Sequence, residues 1–201
     1  MMRRAIITST FVITPMMVGL AAMAKPVVLI VLGEKWLPCV PFIQAYCFMY
    51  LFYPIHTSNL SAIKAMGRSD IFLKLEIIKK IYGLALLLGS YFYFKSPIGI
   101  AFGAMISTVI SSFVNASPNK KLMGYSYLEQ VKDILPSLII ASIMGATVFS
   151  IGTLNLPITS TIPMQIISGI FVYIGLAKIL RLERLNYLIQ TIKNLRKSKA
   201  K

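Results

Sequence analysis

Six apolar runs, each close to the length needed to cross a bilayer, govern what this chain can become. They cover Ala5–Leu32, Val40–Ile63, Ile77–Phe94, Ile98–Ala116, Ile134–Leu154 and Ile162–Leu180. A hydrocarbon core about 30 Å thick takes roughly 20 helical residues to span. Lipid offers no partner to a free backbone N–H or C=O, so only helices or a closed barrel cross it. Barrel strands alternate apolar and polar side chains over about ten residues, and runs such as "IIASIMGATVF" do not alternate. Charged residues make up only 13% of the chain, about half the roughly 25% of a soluble domain. The sequence therefore predicts an all-α fold: a polytopic membrane protein with six transmembrane helices in residues 1–181 and a tail over 182–201.

The net charge of +15 invites a nucleic-acid partner, and its distribution argues against one. With the N-terminus placed in the cytoplasm, only Lys25, Lys35 and Lys95 fall on the outer side, while the remaining eighteen of the 21 Lys and Arg lie inside. Such a bias is the positive-inside pattern of membrane proteins. It predicts both termini in the cytoplasm and agrees with an even number of spans. Trp36, Tyr91 and Tyr93 fall near the outer interface, where amphipathic rings prefer to sit.

The start carries Arg3-Arg4, an apolar run and then Ala22-Met23-Ala24, the outline of a signal peptide. Its apolar run exceeds the roughly 7–15 residues of a signal sequence and resumes after Pro26, so it is read as a retained span. Cys39 and Cys47, eight residues apart, are about 12 Å apart along one helix, too far for a disulfide. They do not make a zinc site either. The tail places Leu182, Leu185, Leu188, Ile189, Ile192 and Leu195 at helical spacing among basic residues. That pattern predicts an amphipathic helix on the anionic inner leaflet.

Enzymatic groups are scarce. Six acidic residues and one histidine form no serine–histidine–carboxylate set, no HExxH and no P-loop. The chain is not expected to be an enzyme, to hydrolyse ATP or to hold a cofactor or metal. The polar residues that stand out lie in the second span: "FYPIHTSNLSAIKAMGRSD", with the only histidine. At 100° per residue, Tyr53, His56, Asn59 and Lys64 share an arc of about 140°. Pro54 is the best candidate for a functional kink beside them. Two roles fit His56: a hydrogen bond to a neighbouring helix, or the lining of a wet cavity. Lys25 either snorkels outward along its helix or adds positive charge to such a cavity, which would suit an anionic substrate. Gly99 and Gly103 form a G-x-x-x-G, which lets helices approach closely.

Three stretches carry a resemblance: "LGEKWLPCVPFIQAYC", "YPIHTSNLSAIKAMGRSDIFLKLEIIKK" and "NKKLMGYSYLEQVKDILPS". They resemble the C-terminal part of bacterial lipopolysaccharide and polysaccharide flippases of the multidrug/oligosaccharidyl-lipid/polysaccharide exporter superfamily. The resemblance implies a partial, C-terminal bundle of a transporter in the bacterial inner membrane, whose two bundles enclose a cationic cavity. It implies a lipid-linked saccharide substrate, of the polyprenyl pyrophosphate type, moved to the outer leaflet by alternating access. Lys25, His56, Asn59, Lys64 and Arg68 are the positions that would serve as substrate-path residues, with Tyr53 beside them on the same face. Transport would need the missing N-terminal half or a second copy of the chain. The alternative is a non-transporting membrane fragment or an assembly subunit of a cell-surface polysaccharide system.

Overall fold

The computed structural model describes residues 2–154, 157–180, 182 and 184. All the regular structure among them is helical. The first apolar run forms α1 (Met2–Ala22) and α2 (Ala24–Val31). Pro26 lacks the N–H that would bond to Ala22 four residues back, which weakens the ladder there, and the helix is interrupted at Met23. A 3₁₀ turn over Glu34–Cys39 leads into α3 (Val40–Leu51) and α4 (Tyr53–Ala65). The break between them has the same origin. Pro54 removes one helical N–H, and at Phe52 the ladder tightens to a bond onto Met49 O at 3.2 Å. Two of the runs expected as single helices are thus each divided by a proline.

The next two helices are a tight hairpin. Helix α5 (Ser69–Phe94) ends at Lys95, whose φ of 46° turns the chain back. Ser96 then caps α6 (Pro97–Ala116), its hydroxyl accepting from Gly99 N. The G-x-x-x-G pair lies at the contact with the end of α5. A Cβ on Gly103 would sit 2.4 Å from Ser90 Oγ and 3.1 Å from Leu86 O, and one on Gly99 would strike Phe94. A short α7 (Asn119–Met123) and a capping box between Ser126 and Glu129 start α8 (Tyr127–Gly152). Helix α9 (Ile158–Ile179) closes the described chain.

Among the described residues, five stretches are long and apolar enough to cross a membrane: Met2–Ala22, Glu34–Ala65, Pro97–Met123, Tyr127–Gly152 and Ser160–Ile179. Helix α5, 26 residues long, is not among the five and carries Lys74, Glu76, Lys79 and Lys80 in its first half. Helix α8 is the central one, with 39% of its apolar window buried against 22% or less in the others. It packs on α1 and α9 through Phe11, Ile140, Ala141, Met144, Val148, Tyr173 and Ala177. Gly145 lets α1 come close, since a Cβ there would lie 2.4 Å from Val18 Cγ1. Tyr173 OH donates to Phe11 O at 2.7 Å, tying α9 to α1.

A polar clasp joins the ends of α1 and α9 to α8. Arg3 donates to both carboxylate oxygens of Asp133, at 2.6 and 2.8 Å, and Tyr125 OH adds a third bond at 2.7 Å. Burial, then the Asp133 carboxylate, pushes the Tyr125 hydroxyl above its ordinary value, so it stays a donor. Arg184 donates to Asp133 O and, at 2.8 Å, to Ser137 Oγ. Burial lowers the Arg184 guanidinium from its ordinary value, and Asp133 opposes that shift. Of the amphipathic helix expected over Leu182–Leu195, only Leu182 and Arg184 fall within the described residues. Leu182 packs against the α1–α8–α9 core.

Candidate functional site

Helix α4 stands between two different environments. Ile55, Asn59 and Ile63, spaced four apart, are fully buried and form its packed side. On that side Asn59 is the centre of an amide knot. Its Nδ2 donates to Ile55 O at 2.7 Å and to Gln130 Oε1 at 2.8 Å. Its Oδ1 accepts from Gln130 Nε2 at 3.0 Å and from Asn119 Nδ2. Both donors and the acceptor of the Asn59 amide are thereby used inside the bundle.

The other side of α4 borders a cleft of about 300 Å³. Met49 and Tyr50 of α3, Tyr53, His56 and Leu60 of α4, Lys79 of α5, and Thr108, Ser111 and Asn115 of α6 line it. His56 Nδ1 lies 3.0 Å from Asn115 Nδ2. An amide nitrogen only donates, so Nδ1 accepts and the neutral imidazole carries its proton on Nε2. Asn115 is itself buried, and its Oδ1 has no hydrogen-bond partner among the described residues. Lys79 pairs with Glu76 one turn earlier, its side chain only 15% exposed. Tyr82 OH and Ser111 Oγ, 2.6 Å apart, brace the α5–α6 side. The cleft is thus lined by an imidazole, an ammonium paired with Glu76, hydroxyls and a buried amide whose oxygen has no partner among the described residues. His56 sits about 14 Å along the helix axis from Ala65 at the end of α4, a depth at which polar groups are costly unless they face water or one another.

The six positions singled out from the sequence separate. Tyr53 and His56 line the cleft, and Asn59 does not. An arc of about 140° on a helix is wide enough for its two edges to meet different neighbours, and the Asn59 edge faces α8. Lys64 is exposed at the turn, its Nζ 4.3 Å from the centroid of the Phe72 ring. Arg68 forms a two-point pair with Asp70, Nε and Nη2 each 3.0 Å from a carboxylate oxygen. The Arg68 hydrogen bonds hold the Asp70 carboxyl at about 2, below its ordinary 3.8. Lys25 is exposed on α2 and lines neither the cleft nor the knot.

Sequence reasoning missed Lys79, Asn115 and Ser111. Lys79 and Lys80 are adjacent and alike in the sequence, but Glu76 one turn back gives Lys79 a partner inside the protein. Asn115 lies 59 positions from His56, and no local pattern announces the pairing. Among the described residues no three His, Cys, Asp or Glu side chains gather as a metal would need.

Comparison with known proteins agrees with the resemblance. A family model described as "Polysaccharide biosynthesis protein" matches residues 1–41, which comprise α1, α2, the 3₁₀ turn and the first two residues of α3. The lipopolysaccharide biosynthesis protein WzxC of Escherichia coli (strain K12) is 27% identical over 143 residues, covering 65% of this chain and 28% of that protein. The chain thus spans well under a third of the relative it matches. No solved structure matches it. The chain is a multi-pass helical membrane protein similar to polysaccharide and lipopolysaccharide biosynthesis proteins.

Proposed function

We propose that this chain forms part of the wall along which a lipid-linked saccharide, of the polyprenyl pyrophosphate type, crosses the bacterial inner membrane by alternating access. The observation that carries this is the His56–Lys79–Asn115 cleft, polar at membrane depth, in a chain similar to a lipopolysaccharide biosynthesis protein. Lys79 would attract the pyrophosphate, while Asn115 Oδ1 and Ser111 would accept from or donate to sugar hydroxyls. Lys64 and Arg68, at the basic turn, would meet the substrate first on the cytoplasmic side, with both termini on that side. Tyr53 is exposed at the cleft, so a second bundle or a second copy of the chain is needed to close the path. The tail beyond residue 184 would rest on the inner leaflet.

Saccharide export in cells that depend on this gene tests the proposal. His56→Leu, Lys79→Gln and Arg68→Gln should each lower surface saccharide with the inserted protein unchanged in amount. Cysteines at 53 and 56 should react with water-soluble reagents, and a cysteine at 59 should not. Normal export by all three variants, with positions 53 and 56 closed to water-soluble reagents, would overturn the transport role. It would leave the chain as a non-transporting membrane component of polysaccharide assembly.

A further inference from the structure

We propose that the groove between α1, α8 and α9 binds the hydrocarbon chain of a membrane lipid that carries a hydroxyl or amide N–H at the top of that chain. The groove encloses about 530 Å³, within the range of roughly 300–1,000 Å³ usual for ligand pockets. It shares no lining residue with the His56 cleft, and its occupancy does not depend on the transport role. Its floor is Met144, Val148 and Tyr173, all buried. Its rim is open: Met16 is 61% exposed, and Ile166 and Ile170 about half exposed. All three flanking helices are long and apolar enough to cross a membrane, so bilayer hydrocarbon is what such a rim meets. Methionines at floor and rim adapt to a flexible chain better than branched side chains do.

Two polar side chains interrupt this lining, Tyr173 and Gln165, and Gln165 sets the chemistry of the occupant. Gln165 is fully buried, and its Nε2 donates to Val148 O at 2.9 Å. A carbonyl accepts only, so this bond fixes which end of the amide is nitrogen. Oε1 is left without a hydrogen-bond partner among the described residues. The hydroxyl on the floor, that of Tyr173, already donates to Phe11 O. A buried acceptor with no donor is costly, and more so where lipid replaces water.

The position of Gln165 says where the donor must come from. Its Nε2 is 2.8 Å from the place a Cβ would take on Gly152, the last residue of α8. The orphaned oxygen is therefore at the end of the helix, where the headgroup region begins, and the groove runs from there toward Ile174, about 14 Å along α9. A diacyl phospholipid offers only ester and phosphate acceptors at that level. A lipid with a hydroxyl or amide N–H just below its headgroup supplies the missing donor while its chain fills the groove.

Photolabelling of the protein in nanodiscs tests this with two probes sharing one diazirine acyl chain, one built as a ceramide and the other as phosphatidylcholine. The ceramide probe should label the α1 and α9 segments around Met16 and Ile170 several-fold more than the phosphatidylcholine probe. Both should label the exposed Leu84 face of α5 equally. Gln165→Leu should abolish the preference while leaving phosphatidylcholine labelling in place. Gly19→Leu, at a site with 3.7 Å of room before Met144 Cε, should fill the groove and lower labelling by both probes. Equal labelling by the two probes at the groove, or a preference that survives Gln165→Leu, would overturn the proposal as ordinary contact with surrounding lipid. A groove that neither probe reaches would overturn it as well, by showing that protein covers the site.

Discussion

Replacing Asn59 with leucine removes the centre of the amide knot and tests whether α4 is held by it. Three bonds to other helices are lost: Nδ2 to Gln130 Oε1, Gln130 Nε2 to Oδ1, and Asn119 Nδ2 to Oδ1. Bonds between helices within membrane proteins average about 0.6 kcal/mol and reach at most about 1.7, because the unfolded state in the membrane also finds partners. Three of them give about 2 kcal/mol. The orphaned groups of Gln130 and Asn119 press the figure upward, since each buried unsatisfied group costs about 1–3 kcal/mol in full desolvation. Leucine is close enough in size to asparagine that no large cavity opens, so the expected loss is about 2–4 kcal/mol. Unfolding by SDS titration in mixed micelles reads it as a lowered midpoint. The double variant Asn59→Leu with Gln130→Leu should lose less than the single one, because replacing both partners with apolar groups is far milder than orphaning one. A loss below about 0.5 kcal/mol for Asn59→Leu, under even one average bond, would refute a dry, cooperative knot. It would mean that water reaches these amides.

Gly103→Val should destabilise the α5–α6 hairpin by about 1–3 kcal/mol, the usual cost of overpacking, because its Cβ would meet Ser90 Oγ at 2.4 Å and the Leu86 backbone at 3.1 Å. The same titration checks it, and partial rescue by Ser90→Gly would locate the clash. Asp70 should titrate at about 2 rather than at its ordinary 3.8. Its folded value is depressed, so any stability from the Arg68 pair is fully present above the ordinary value and lost as pH falls through about 2. Carboxyl NMR reads the midpoint directly, and a value at or above the ordinary one would show that the pair does not form. Single-cysteine labelling should find Lys35 reachable from outside the cell, and Gly67 and Lys120 from inside. Labelling of position 67 from outside would reverse the topology.

Much of the fold was legible because lipid leaves a chain few choices. Without water for the backbone, an apolar run near 20 residues must be a helix, and each of the six runs is helical over the described residues. The prolines were readable only in part. Pro26 and Pro54 lack an N–H and both breaks fall near them, while Pro15, Pro136 and Pro163 lie inside continuous helices. The glycine pair on α6 announced a close neighbour by the absence of side chains, though not which helix it would be.

The site was legible only in part, because a sequence shows which residues share a helix face but not what faces them. Tyr53, His56 and Asn59 lie within one arc of α4, yet Asn59 meets Gln130 and Asn119 while His56 meets Asn115. Those partners come from 59 to 71 positions away, and nothing in the local pattern of either segment encodes the meeting. Lys79 has the same sequence surroundings as Lys80, and only the packing of α5 against α6 turned it into the cleft. Gln165 is one polar residue in an apolar helix. Its orphaned oxygen exists only because α8 ends at Gly152 beside it and Val148 O takes its other end. Helix formation in a membrane is decided residue by residue through backbone solvation, which composition reports. Which polar groups meet is decided by how helices far apart in sequence pack, and that only the tertiary structure decides.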